Sequence, residues 1–293
     1  YANRGRHLIT SVAEHPSVLE VFRQLETKFA FKVTYLSINS NGGINIEELK
    51  KSITSETILV SLIAVNNETG AINPIGEVAA LLAKYPKILF HVDAVQAVGK
   101  VNLNYAKLDL ITVAGHKINA LNGCGLLLKG KKFELLPLLA GGGQEGGFRS
   151  GSNDVAMDVS LSKAVRLALA DIQSKIAHVK PLNQQIRDYL LANSDLYEIN
   201  SPIGASPFII NFSLKNRKAS VVVEALSNRG IMISSTSACH ARNETISYVV
   251  EAMGKPEQIY SNTLRASLDT NNTTSDISAF LSNLDEVVKG IKR

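Results

Sequence analysis

Cysteine is scarce in this chain: Cys124 and Cys239 are the only two in 293 residues. Two thiols do not make a disulfide framework, and a reducing, cytoplasmic setting fits them best. Long apolar runs are lacking as well, and none approaches the roughly 18 consecutive residues of a membrane span. No signal-peptide pattern opens the chain, whose first residue is Tyr1 rather than Met. Charge of one sign is not concentrated either. Lys and Arg number 31 against 26 Asp and Glu, a formal net charge of +5, with no basic block interleaved with aromatics of the kind that tracks a phosphate backbone, so nucleic-acid binding is not indicated. Lys129, Lys131 and Lys132 gather around Gly130 and read as a solvated hairpin turn. Internal repeats and low-complexity segments are also missing. What is present is an ordinary globular composition, 45% hydrophobic, enough for a large core and two domains.

Along the first half, apolar strands alternate with helices. His7 to Val12, Lys32 to Ile38, Thr57 to Val65, Lys87 to Val92 and Leu108 to Ala114 read as strands, each a nearly continuous apolar run. Between them, Pro16 to Phe29, Asn45 to Ile53 and Pro74 to Tyr85 read as helices. This is the pattern of an α/β domain whose mainly parallel sheet is covered on both faces. A further apolar run, Gly123 to Leu128, follows Leu108 to Ala114 closely enough to be its neighbouring strand. From Asp154 to Ala177 a long helix is expected, then a second after Lys180-Pro181 to Leu191. The remainder is a smaller α+β unit, with strands at Phe208 to Phe212, Ile231 to Ser235 and Leu264 to Leu268, and helices at Ala219 to Asn228, Ile246 to Met253 and Thr274 to Ile291. The expected boundary falls near residue 172, giving a domain over 1–172 and another over 173–293.

In open α/β sheets, ligands sit outside the carboxyl ends of the strands. His15, Asn67, Asp93 and Lys117 each follow a strand there. Lys117 is the most telling. It emerges from a buried strand into Ala114-Gly115-His116-Lys117, and a lysine beside a sheet, once desolvated, is a nucleophile toward an aldehyde. Pyridoxal phosphate needs such an amine, a carboxylate for its ring nitrogen, hydrogen-bonding groups at its ring oxygen, a flat partner for its face and anion donors for its phosphate. Lys117, Asp93, Gln96 with Asn67, His15 and His116 can fill those roles in that order. Gly141 to Ser152 is rich in glycine, so its backbone N–H groups and the Ser152 hydroxyl suit an approach to phosphate, although a flexible linker reads the same way. Cys239 lies in Ser234-Ser-Thr-Ser-Ala-Cys-His-Ala-Arg-Asn243, a small-residue segment expected to be an exposed loop, with His240 and Arg242 placed to favour a thiolate. Cys124, between glycines at the start of an apolar strand, reads as buried and inert.

Taken together, these motifs resemble the cysteine desulfurases, pyridoxal-phosphate enzymes of the class V aminotransferase group. The resemblance runs over essentially the whole chain. It is carried by Thr-Ser-x-x-Glu-His at 10–15, Val-Asn-Asn-Glu-x-Gly at 65–70, His-Val-Asp-Ala-x-Gln at 91–96 and Gly-His-Lys at 115–117. Gly-Gly-Gly-Gln-Glu with Arg-Ser-Gly-Ser at 141–152 and Ser-Ser-x-Ser-Ala-Cys at 234–239 complete it. The resemblance implies a fold-type I transferase fold. It gives Lys117 the covalent hold on pyridoxal phosphate, Asp93 the pyridine nitrogen, Gln96 the ring oxygen, His15 the ring face and His116 the phosphate. Ser152 would reach that phosphate from the partner subunit of a homodimer. Asn67 and Arg265 would meet the substrate carboxylate, and Cys239 would accept sulfur from L-cysteine as a persulfide. An iron–sulfur scaffold or a tRNA-thiolating enzyme would then receive that sulfur. No metal is implied.

Two departures stand out. Ala114 occupies a position where the family usually has Ser or Thr, so one phosphate hydroxyl is lost, and the family carries an amino-terminal segment, with a phosphate-cupping loop, ahead of the point where this chain begins. The alternatives are a catalytically silent homologue acting as a binding partner, or a selenocysteine lyase or aminotransferase of the same fold. Cys239 argues against a plain aminotransferase, which needs no loop thiol.

Overall fold

The computed structural model describes residues 3–131, 133–235 and 246–290. Its first sheet contains β1 (His7–Ser11), β2 (Lys32–Leu36), β3 (Thr57–Ile63), β4 (Leu89–Asp93), β5 (Leu110–Ala114) and β6 (Gly125–Lys129). They lie in the order β2-β1-β3-β4-β5-β6. All neighbours run parallel except β6, which pairs antiparallel with β5. The expected parallel α/β sheet is therefore present. Alternation along each strand divides its residues between two faces. Val60, Leu62, Val92, Ile111 and Val113 enter the main core with α3 (Ile75–Leu82). At about 1.5 to 3 kcal/mol for each fully buried aliphatic side chain, this face stabilises the sheet most. The opposite face carries Ser61 and Ile63, His91 and Asp93, and Thr112 and Ala114.

Helix α1 (Pro16–Phe29) covers part of that second face, burying Leu19 and Phe22, the latter against Leu8 and Ile58. Proline at its first turn removes an N–H that would have lacked a partner there anyway. Helix α2 (Ile46–Ser52) is capped by Asn45, whose side chain accepts from Glu47 and Glu48 N–H groups. The second sheet is antiparallel, in the order β7-β8-β10-β9, from β7 (Tyr197–Ile199), β8 (Ile209–Leu214), β9 (Ser234–Ser235) and β10 (Thr263–Ser267). Its core joins Ile210, Phe212, Leu214 and Leu264 to Ile186 of α5 (Ile172–Ala192), Val222 of α6 (Ala219–Ser227) and Leu284 of α9 (Thr274–Gly290). Two short helices, α7 (Tyr248–Ala252) and α8 (Glu257–Tyr260), lie between β9 and β10 in sequence. Val249 and Met253, in and just after α7, pack into the core of the first sheet.

Several expectations need correction. The long helix does not run from Asp154 to Ala177: α4 (Val155–Leu169) stops at Ala170, and Asp171 takes a left-handed conformation with φ of 47° before α5 begins. Lys175 Nζ bonds the Leu167 and Ala168 carbonyls that this break frees. Pro181, expected to separate two helices, sits inside α5. The strand expected from Ile231 begins only at Ser234, because the Ile231 N–H is used to close the turn after α6, on Leu226 O at 3.0 Å. Lys129 is not a solvated turn residue: its Nζ bonds Phe133 O at 2.9 Å and lies 4.6 Å from the Phe148 ring centre. Cys124 is not buried. It is half-exposed on the sheet-edge side of β5, with Sγ donating to Leu121 O at 3.0 Å, because β6 is an edge strand and is not covered.

Candidate active site

The end of β5 shows why Lys117 sits where it does. Gly115 to Lys117 form a single tight turn, which Ile118 and Ala120 close with N–H bonds to Gly115 O, both 3.0 Å. The Gly115 N–H in turn donates to Cys124 O at 3.0 Å. A Cβ on residue 115 would lie 2.5 Å from Cys124 Sγ and 3.0 Å from Cys124 O, so glycine is required by the close approach of the next strand. The turn throws His116 and Lys117 outward, where both are exposed.

They face a cavity of about 550 Å³ at the carboxyl ends of the parallel strands, also lined by His15, Asn67, Asp93, Gln96 and Arg265. Seven of the residues singled out in the sequence thus come together. Ser152 does not line this cavity and is exposed. Cys239 lies outside the described residues.

Each lining group is held by local structure. His15 caps α1: its Nδ1 accepts from the Ser17 N–H at 3.2 Å and meets Ser17 Oγ at 2.8 Å. Asn67 sits in a loop tied by Asn66, whose Oδ1 accepts from the N–H groups of Glu68 and Thr69, both 2.9 Å, while its Nδ2 donates to Ala13 O. Residues in and beside the second sheet grip the same loop. Asn211 Nδ2 donates to Glu68 O, Ser201 Oγ to Thr69 O at 2.6 Å, and Arg265 Nη1 to Asn67 O at 3.0 Å. Arg265 on β10 thereby reaches a cavity built mainly by the first sheet.

Burial sets the electrostatics. Asp93 is buried, and its carboxyl is raised above the usual carboxylate range by that burial, with the Val95 N–H and the His15 ring pulling the other way. Glu14, fully buried, is pushed up to about 8 by burial despite hydrogen bonds from the Ile63 N–H and Ser11 Oγ, and Asp93 raises it further. Burial lifts Glu68 to about 7, opposed by its hydrogen bond from Ser247 and by Arg265. His91 is lowered to about 4 by burial. It lies between Ser61 Oγ and Thr112 Oγ1, both 2.7 Å away. Lys100 is brought down to about 8, by burial first and then by Lys117; Asp269 opposes this and Arg265 adds to it.

Among the described residues, Asn67 Oδ1 and Arg265 Nε, buried atoms of two residues that line the cavity, have no hydrogen-bond partner. Leaving a buried donor or acceptor unpaired costs about 1 to 3 kcal/mol. Sequence reasoning missed Glu14, Ser17, His91 and Lys100. The two-residue period of β4 carried a signal for His91, which shares a face with Asp93. A helical spacing carried one for Lys100, four residues beyond Gln96.

A model of the aminotransferase class-V family matches residues 2–280, and the chain belongs to that family, whose members are pyridoxal-phosphate enzymes. Among its relatives, a NifS/IcsS protein homolog of Lactobacillus delbrueckii subsp. bulgaricus is 37% identical, over 97% of this chain and 74% of its own length. A cysteine desulfurase of Nostoc sp. is 38% identical, over 98% of this chain and 72% of its own. A solved NifS-like protein superposes with a TM-score of 0.89 at 32% identity, over 98% of this chain and 76% of that one.

The donor set fits the cofactor. Asp93 is a buried carboxylate suited to a cationic N–H, Lys117 is an exposed amine on the same cavity, and Arg265 brings a guanidinium suited to an anion to its wall.

Proposed function

We propose that this pyridoxal-phosphate enzyme is a cysteine desulfurase, converting L-cysteine to L-alanine and passing the sulfur to Cys239. One observation supports the reading above others: a buried carboxylate, an exposed strand-end lysine and an arginine line one cavity at the carboxyl ends of the parallel strands. Pyridoxal phosphate, when bound, supplies an electron sink for the substrate's carbon frame. Lys117 would hold its aldehyde carbon covalently, and Asp93 would keep a proton at its ring nitrogen. Gln96 would bond the ring oxygen, His15 would lie against the ring face, and His116 would bind the phosphate.

Arg265 and Asn67 bind the substrate carboxylate in this account, since a guanidinium suits a planar, charge-assisted pair. The Cys239 thiolate attacks the substrate sulfur, so that an S–S bond forms as the substrate's C–S bond breaks. A proton delivered to carbon completes alanine, and Cys239 is left as a persulfide. Atoms balance without an added oxidant. An acceptor of the iron–sulfur scaffold or tRNA-thiolating kind would then take the sulfur, in a reducing cytoplasm that keeps the thiol available.

A homodimer suits the surface. Leu136 and Leu138 are 96% and 99% exposed, Leu127 on the edge strand β6 is exposed too, and apolar exposure of this kind marks an interface. Ser152 would reach the phosphate in a second copy. Residues 1–172 would form the cofactor domain and 173–293 the smaller one. The test is incubation with pyridoxal phosphate, L-cysteine and a thiol reductant. Alanine should appear, and mass spectrometry without reductant should find added sulfur on Cys239. Alanine formed undiminished by Cys239→Ala would contradict the sulfur-transfer step.

A further inference from the structure

The turn that leaves β4 carries a lysine for which the proposed chemistry has no use. Lys100 is half-buried, and its Nζ donates to Gln96 Oε1 at 3.1 Å. The two belong to one helical turn, in which Val98 N–H bonds Ala94 O and Val101 N–H bonds Ala97 O, each at 3.0 Å. Spacing of four residues therefore stacks their side chains. The surrounding charges are Lys117 and Arg265, which repel Lys100, and Asp269, which attracts it from beyond ion-pair distance. A cation kept in such company is costly unless its position does something.

Its geometry has a consequence for Gln96. A lysine ammonium only donates, whereas a primary amide has an accepting end and a donating end of nearly the same shape. With Lys100 on the Oε1 side, the Nε2 end of Gln96 is turned away from it. Gln96 is buried, 7% exposed, and lines the cavity. Removing Lys100 frees the amide to turn over and present its oxygen instead.

We propose that Lys100 is a positioning residue of the cofactor site: it locks the Gln96 amide so that N–H donors face the cavity, selecting a deprotonated ring oxygen on pyridoxal phosphate. This rests on the reading of the cavity as a pyridoxal-phosphate site. A residue that only supported the fold would alter stability. One that acts through Gln96 must lose its effect when Gln96 is gone.

The experiment is a double-mutant cycle on cofactor affinity, measured by equilibrium dialysis of pyridoxal phosphate against wild type, Lys100→Met, Gln96→Ala and the double variant. Each single change should weaken binding about tenfold, and the double variant should be no weaker than either, as expected when both remove one hydrogen bond. Lys100→Arg, which keeps the donor, should bind within about twofold of wild type. Should Lys100→Met not fold, Lys100→Ala removes the same donor and carries the same cycle. Losses that multiply in the double variant, or wild-type affinity in Lys100→Met, would overturn the positioning role alone. Failure of wild type to bind pyridoxal phosphate would overturn the reading of the site and the proposal with it.

Discussion

His7 and His91 receive the same treatment from the first sheet, and it differs from what Asn67 and Arg265 receive. Each histidine bridges three strands: His7 meets Thr57 Oγ1 at 2.7 Å and Thr34 Oγ1 at 2.9 Å, and His91 meets Ser61 and Thr112. Both ring nitrogens have partners in each case, so the rings are ties within the sheet. Asn67 and Arg265, by contrast, hold buried atoms that lack a partner among the described residues. Polar groups in a folded interior are nearly always paired. The saturated rings hold the strands in place, His91 within the wall of the cavity itself, whereas Asn67 and Arg265 keep bonding capacity at the same wall.

That contrast is open to attack from both sides. The largest effect should come from Asp93→Asn. An amide cannot hold a protonated ring nitrogen as a carboxylate does, so alanine formation should fall on the order of a thousandfold, about 4 kcal/mol in the barrier, while pyridoxal phosphate still binds. Steady-state rates at saturating cofactor check this, and equal rates would remove Asp93 from the chemistry. His7→Ala should do the reverse. It removes a buried ring and both of its bonds across three strands and should cost about 2 to 3 kcal/mol in urea-unfolding stability, with the rate per folded molecule unchanged. A large rate loss there would mean that tied histidines also serve the site.

The smallest expected effect is on the pH dependence of stability. Glu14 has a folded pKa near 8 against 4.5 in the unfolded chain, so between these values the folded state keeps a proton that the unfolded state has released. Stability therefore falls as pH rises through that window. Glu68, near 7, adds the same sign. His91 opposes them only between 6.5 and about 4, where stability is lost as pH falls. From pH 6.5 to 8 the carboxyl groups act without His91, offset only slightly by Lys100 near 8, and melting should shift by the equivalent of roughly 2 kcal/mol. Glu14→Gln, the isostere of the neutral acid, should flatten the slope. An unchanged slope would show that Glu14 is not the buried proton carrier.

The strand-end residues were legible in the sequence because apolar runs locate parallel strands, and the residue after each run falls on one rim. That logic covers His15, Asn67, Asp93 and Lys117. It does not reach Lys100: the four-residue spacing from Gln96 places the two side chains together, but which end of the amide Lys100 meets is a fact of side-chain geometry. It fails as well at Asp171, where the chain breaks a helix by turning left-handed with no glycine to announce it, while Pro181 suggests a break that α5 absorbs. Cys124 was misplaced for a related reason: Gly123 to Leu128 has the composition of a covered strand, but β6 is the edge of its sheet.

Two lysines stand close to one cavity, and only one of them is assigned the covalent hold on the cofactor. Reduction of the pyridoxal-phosphate-loaded protein with borohydride, followed by peptide mapping, fixes the cofactor to whichever amine carries it. The reduced pyridoxyl group is expected on Lys117 and none on Lys100; label on Lys100, or on neither, would contradict the assignment of Lys117.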